Sequence, residues 1–197
     1  MNTLKAEKRS MDVKAKKLRR EGFVTGNLFG REIVGSIPLK FTKKEIEVLL
    51  KNNNKGSQVM LELDGKTYDA LIKEVDYNPL AHTVEEVDFQ ALVSNEMVHS
   101  TAEIILENEE KVMSGVLQDE LKEVAYKALP ADLVDKIKVD VAGMKIGDTL
   151  RVKDLEIAKN KNIHITTDLE AVIATVTPVH NVVPETETEA EETAEEK

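Results

Sequence analysis

Val59-Met60-Leu61-Glu62-Leu63-Asp64-Gly65-Lys66-Thr67-Tyr68-Asp69-Ala70-Leu71-Ile72-Lys73-Glu74-Val75 is two runs of strand-forming residues joined by Asp-Gly. Branched and aromatic side chains suit a pleated, half-buried surface. Asp-Gly accepts the positive φ angles of a type I′ turn, whose twist matches a pair of antiparallel strands. The stretch therefore predicts a β-hairpin. Tyr77-Asn78-Pro79 breaks the second strand, and Val84-Glu85-Glu86-Val87-Asp88-Phe89 begins another.

Upstream of the hairpin, residues 3–9 alternate and predict a first strand, Val24 to Phe29 a second, and Ile33 to Phe41 a third. Pro38 lacks an N–H to donate and points to an edge position for that third strand. Thr42-Lys43-Lys44-Glu45 has the spacing of a capping box, in which hydroxyl and carboxylate satisfy free backbone N–H groups. Ile46, Leu49 and Leu50 follow as an apolar helical stripe, ended by Asn52-Asn53-Asn54. Several strands and one helix over this length predict a small β-barrel or a strongly twisted sheet.

The character changes at Leu92 to Met97, where basic residues thin out and acidic ones accumulate. Beyond it, Val98 to Leu106 alternates over a long strand, and Ile137, Val139 and Val141 mark another. Leu150 to Leu155 and Ala171 to Val176 supply further strands, while Gln118 to Ala128 fits a strand or a helix about equally. The expected architecture is mainly β: an N-terminal small β-barrel with one or two helices over 1–94, and a second β-rich domain with short helices over 95–182. Residues 183–197, with almost no apolar side chain to offset chain entropy, are expected to be a disordered acidic tail.

The charge is unevenly distributed. The 197 residues carry a net −10, yet residues 1–22 hold eight basic and three acidic side chains. Residues 96–197 hold 11 basic against 23 acidic, a net of −12. The basic excess peaks at Lys14-Ala15-Lys16-Lys17-Leu18-Arg19-Arg20, five cations in seven residues. Like charges this close repel one another, and a polyanion relieves the repulsion. A polyanion met at one end of the chain is the function class this distribution favours.

Other classes find no support. Without cysteine there is no thiolate nucleophile and no Cys-ligated zinc. His82, His99, His164 and His180 stand far apart, in no metal-ligand spacing. No phosphate-binding loop, dinucleotide fingerprint or nucleophile elbow occurs, so no enzyme activity and no cofactor are expected. No apolar run approaches the roughly 20 residues of a membrane span, and the N-terminus has no signal-peptide core. The chain reads as cytoplasmic, with neither a membrane nor a small-molecule substrate as a partner.

Leu4-Lys5-Ala6-Glu7-Lys8-Arg9 followed by Lys16-Lys17-Leu18-Arg19-Arg20-Glu21-Gly22 resembles the opening of the general stress protein Ctc family. Leu28-Phe29-Gly30, Ile37-Pro38-Leu39, Asp64-Gly65-Lys66 and Val87-Asp88-Phe89 continue the likeness. In the second half, Gly115-Val116-Leu117, Ala128-Leu129-Pro130-Ala131-Asp132 and Ile146-Gly147-Asp148 are similar to its C-terminal domain. The family's members are bacterial large-subunit ribosomal proteins that bind 5S rRNA.

The resemblance implies an RNA-binding N-terminal β-barrel, a β-rich C-terminal domain, and 5S rRNA and neighbouring large-subunit ribosomal proteins as partners at a ribosome-associated location. It implies that Arg9, Lys14, Lys16, Lys17, Arg19 and Arg20 hold phosphates, that Phe29 packs on RNA, and that Asp88 orients neighbours or accepts a sugar or base hydrogen bond. Several positions depart from the pattern. Lysines stand at 16 and 17 where arginines are usual, Thr25 replaces a proline, Phe29 a tyrosine and Glu86 a histidine. A carboxylate at 86, beside Glu85, is expected to repel phosphates. Two readings follow: a 5S-rRNA-binding ribosomal protein with a link to stress, and a divergent relative that uses the same fold as a protein-interaction or stress-associated module.

Overall fold

A computed structural model describes residues 3–112 and 115–178. The first part of the chain forms β1 (Thr3–Lys8), α1 (Ala15–Arg20), β2 (Phe23–Phe29), β3 (Ser36–Thr42), α2 (Lys43–Asn52), β4 (Gln58–Leu63), β5 (Lys66–Asn78) and β6 (Thr83–Ala91). The six strands close into a barrel in the order β1-β3-β2-β6-β5-β4. Closure comes from β1 running parallel to β4, with Thr3 opposite Met60 and Ala6 opposite Leu63. Alternation fills the barrel: Leu28, Leu39, Leu61, Ile72, Val87 and Phe89 are all fully buried. Phe41 and Phe89 pack with ring centroids 5.4 Å apart, tilted at 55°.

The β4–β5 hairpin is as expected. Leu63 faces Lys66, and Asp64 and Gly65 take φ of 51° and 77°, the two positive angles of the type I′ turn. The expected capping box and helix are also present. Glu45 N–H bonds to the Thr42 hydroxyl and Thr42 N–H to the Glu45 carboxylate, and Ile46 and Leu49 are buried.

Pro38 corrects one expectation. β3 lies between β1 and β2 and is no edge. Arg9 N–H donates to the Pro38 carbonyl at 2.9 Å, and β1 ends at Lys8, just before the residue whose return bond would need the missing N–H. The barrel accommodates the proline where one pairing runs out. β5 also runs three residues beyond Val75, through register shifts at Ile72/Glu74 and Asp76/Tyr77.

The remainder forms β7 (Val98–Glu107), β8 (Val116–Asp119), β9 (Glu123–Ala128), β10 (Lys136–Asp140), β11 (Thr149–Arg151), β12 (His164–Ile165) and β13 (Val172–Thr177). They make two sheets, β10-β7-β9-β12 and β11-β13-β8. The ambiguous stretch 118–128 is strand, divided at Glu120 and Leu121, whose N–H groups both bond to the Ile173 carbonyl. The strand expected over 150–155 stops at Arg151. There Asp154 accepts the Arg151 N–H and starts 3-10 turns that send Val152, Leu155 and Ile157 into the core. Tyr126 is fully buried, its hydroxyl donating to Val134 O and accepting from Val134 N–H.

No helix among the described residues is long and apolar enough to cross a membrane. The expected acidic tail, 183–197, lies outside the described residues, as does His180.

Candidate nucleic-acid interface

α1 is built from the basic run itself. Lysine, arginine and leucine are good helix formers, and Gly22, at φ 89°, turns the chain into β2. Within so short a helix Leu18 is the one buried residue. Lys14, Lys16, Lys17 and Arg20 are exposed. Lys17 lies 3.8 Å from Glu21, a solvent-screened pair of little strength. Among the described residues Lys14, Lys16 and Arg20 enter no ion pair. These four are available to a polyanion.

Arg19 is not available in the same way. Its Nε donates to the Glu85 carbonyl at 3.1 Å, and its Nη1 lies 3.0 Å from the Glu85 carboxylate. Nη2 reaches the Glu86 carboxylate at 3.4 Å and the Thr25 hydroxyl at 3.5 Å. The guanidinium fork thus ties α1 to β6 and covers Thr25, which is fully buried. The carboxylates of Glu85 and Glu86, expected to repel phosphates, both face the Arg19 guanidinium.

The outer barrel face beside α1 comes from β2, β6 and β5, where Thr25 pairs with Glu86 and Glu86 with Asp76. Asn27 links the carboxylates: its backbone N–H donates to Asp88 Oδ1 at 2.9 Å, and its side-chain amide to Asp88 at 3.1 Å and Glu86 at 3.2 Å. Asp88 Oδ1 thus accepts from both the backbone and the side chain of Asn27. The Glu86 carboxyl is pushed above the usual carboxylate range, by burial first and by the Asp88 charge next, with Arg19 opposing.

Phe29 is half-buried at the end of β2, paired with Ser36 and Gln90. Arg9 is half-buried as well. Its Nη2 donates to Val13 O at 3.2 Å, while its Nε is buried without a hydrogen-bond partner among the described residues. Arg19 and Asp88 thus meet around Asn27 and Glu86, whereas Lys16, Lys17 and Arg20 share α1 alone, with Lys14 at its N-cap. Asn27 and Lys40 escaped the sequence reading. Lys40 pairs with Glu7 at 2.8 Å and lies 5.0 Å from the Phe23 ring centroid, and the alternation of β3 was the only sign of its outward position.

Comparison with known proteins agrees with this architecture. Residues 4–89 match the Ribosomal L25p family, and residues 97–180 match the C-terminal domain of ribosomal protein TL5. The large ribosomal subunit protein bL25 of Caldicellulosiruptor bescii is 32% identical over 182 residues, covering 90% of this chain and 89% of that protein. Those of Moorella thermoacetica and Bacillus velezensis are 31% and 30% identical, covering 91% and 90% of this chain and 86% and 89% of theirs. With a barrel over the first match, a β-rich region over the second and 32% identity within an alignment covering 90% of its length, the chain belongs to the bL25 family.

Proposed function

We propose that the chain is a structural constituent of the large ribosomal subunit and binds 5S rRNA through its N-terminal barrel, with neighbouring large-subunit proteins as further partners. The names of its relatives support the ribosomal role. The observation that carries the RNA reading is α1: a six-residue helix holding Lys16, Lys17 and Arg20 in solvent while Leu18 and Arg19 fix it to the barrel. A helix anchored on one side and cationic on the other positions charges for phosphates at low entropic cost.

Filter binding of 5S rRNA to the whole chain tests this. Changing Lys16, Lys17 and Arg20 to Ala together should lower the log–log salt slope by roughly 0.7–0.9 for each phosphate that is no longer neutralised. Unchanged affinity and slope in a folded variant would refute it. A second reading, a protein-interaction module on the same fold, draws on Asp76, Glu86 and Asp88, carboxylates gathered on one outer face. That reading gains if the native chain ignores 5S rRNA.

A further inference from the structure

His99 of β7 stands directly opposite Lys127 of β9, and Lys127 directly opposite His164 of β12. Cross-strand partners share one face of a sheet with Cβ atoms about 5 Å apart, so the three basic side chains form a row. The row ends at the barrel, where Lys73 of β5 donates its Nζ to the His99 carbonyl at 2.8 Å. Beside it, between barrel and sheet, lies a cavity of about 250 Å³ lined in part by Lys55, Lys73, His99 and Thr101. The Thr101 hydroxyl is buried there without a hydrogen-bond partner among the described residues.

This concentration of basic side chains runs against the composition of its surroundings, since residues 96–197 carry a net −12. Among the described residues neither Lys73 nor Lys127 enters an ion pair, whereas Lys55 is held by Glu123 at 3.9 Å. The His99 imidazole is held below its ordinary range by desolvation and then by Lys127 and Lys73, both cationic. Burial and then Lys55 lower the Lys73 ammonium, and Glu74 opposes them with a smaller effect. Lys73 and Lys127 are thus two cations without an ion-pair partner among the described residues, set beside two imidazoles that can donate hydrogen bonds.

We infer that Lys73, His99, Lys127 and His164 form a phosphate-binding seat at the junction of barrel and sheet, taking a backbone phosphate of the RNA that the barrel holds. The inference rests on the RNA-binding reading above. A phosphate dissolves the mutual repulsion of the row and accepts hydrogen bonds from its ammonium and imidazole groups.

The test is 5S rRNA binding to the whole chain as a function of salt. Lys127→Gln is the principal variant, because the Lys127 side chain makes no hydrogen bond or ion pair with the described residues. It should lower the salt slope by about 0.7–0.9, and with Lys73→Met the affinity should fall about tenfold. If both variants keep native affinity and slope while the α1 variants lose binding, the RNA contact is overturned and the barrel reading stands.

If the native chain does not bind 5S rRNA, the barrel reading falls instead. The seat is then decided by titrating tripolyphosphate and following the ring protons of His99 and His164 by NMR. Saturable shifts abolished by Lys127→Gln keep it as a seat for a free oligophosphate. No shift overturns it.

Discussion

Arg19 holds Glu85 twice, its Nε on the backbone carbonyl at 3.1 Å and its Nη1 on the carboxylate at 3.0 Å. Both side chains are about one-third exposed, 31% and 35%, so water weakens the pair without cancelling it. The grip spans two elements far apart in sequence, and it makes Arg19 a positioning residue for the cations beside it.

Arg19 and Arg20 are therefore expected to fail differently. Arg20→Ala removes an exposed cation and should reduce the salt slope of RNA binding while leaving thermal stability within about 0.5 kcal/mol of native. Arg19→Ala should destabilise the barrel by about 1–2 kcal/mol, because it strips a forked donor from two carboxylates and uncovers Thr25. Arg19→Lys keeps the charge without the fork and should rescue only part of that loss. Urea denaturation beside the salt titration separates the two. Equal stability of both alanine variants would contradict the assignment.

Glu86 provides a titration with three signs. Its carboxyl lies above its ordinary value of 4.5 through burial and the Asp88 charge, and Arg19 holds it back. Asp88→Asn should lower the Glu86 pKa, and Arg19→Ala should raise it further; carboxyl NMR reads both. A raised folded pKa means that the native state binds the proton more readily than the unfolded chain does. Stability linked to Glu86 is thus present below 4.5 and lost as pH rises through the folded value. Glu86→Gln should remove that pH dependence from the unfolding profile.

The same residue changes what the departures from the family pattern predict. Phe29→Tyr adds a hydroxyl at a half-buried position and should tighten RNA binding about fivefold if that edge meets RNA. Glu86→His removes a carboxylate from the face beside α1 but also takes from Arg19 one of its two carboxylate partners. Its effect on affinity should fall below that of Phe29→Tyr and be accompanied by lower stability. Binding assays on the two single variants at one salt concentration check this. A tighter Glu86→His variant of native stability would show that the clamp is dispensable.

The hairpin was legible because its information is local: Asp64 and Gly65 fix the turn, and alternation fixes which faces are buried. The capping box at Thr42 was legible for the same reason. The Arg19 clamp was not. It joins residues 66 apart, and Glu85-Glu86 reads as repulsion until a cation is brought over it. Pro38 misled because an unpaired nitrogen suits an edge and equally suits the last rung of a pairing inside a closed barrel. The row His99-Lys127-His164 is invisible in sequence, since strand register alone creates it.

Gly56 sets the contact between barrel and sheet. It adopts φ 91°, and a Cβ there would lie 1.9 Å from the Thr101 carbonyl oxygen. Its own N–H donates to Ile72 O at 2.8 Å, so it cannot withdraw without breaking a barrel bond. Gly56→Ala should cost about 3 kcal/mol or more, the left-handed backbone contributing about 1–2 and the displaced strand the rest. Gly65→Ala, at φ 77° with open space around it, should cost only about the backbone term. Thermal melts of the two variants compare these directly, and equal losses would refute the close approach.

The hydrophobic cores on either side of that contact share no side chain. The first draws its buried residues from Leu4 to Phe89 and the second from Ala102 to Ala174. We propose on this basis that 1–94 and 95–182 are separate folding units, joined by the close approach of Gly56 to Thr101 and by surface contacts such as Lys55 with Glu123 and Lys73 with the His99 carbonyl. Exposed contacts of this kind contribute little beside a buried core. Residues 1–94 expressed alone should unfold cooperatively and still bind RNA. The shortfall from the whole chain should match that of the Lys73→Met, Lys127→Gln variant, about tenfold, because both lack the intact junction. A fragment that fails to fold would refute the division. One that folds and binds as tightly as the whole chain would uphold it and place all RNA contacts on the barrel.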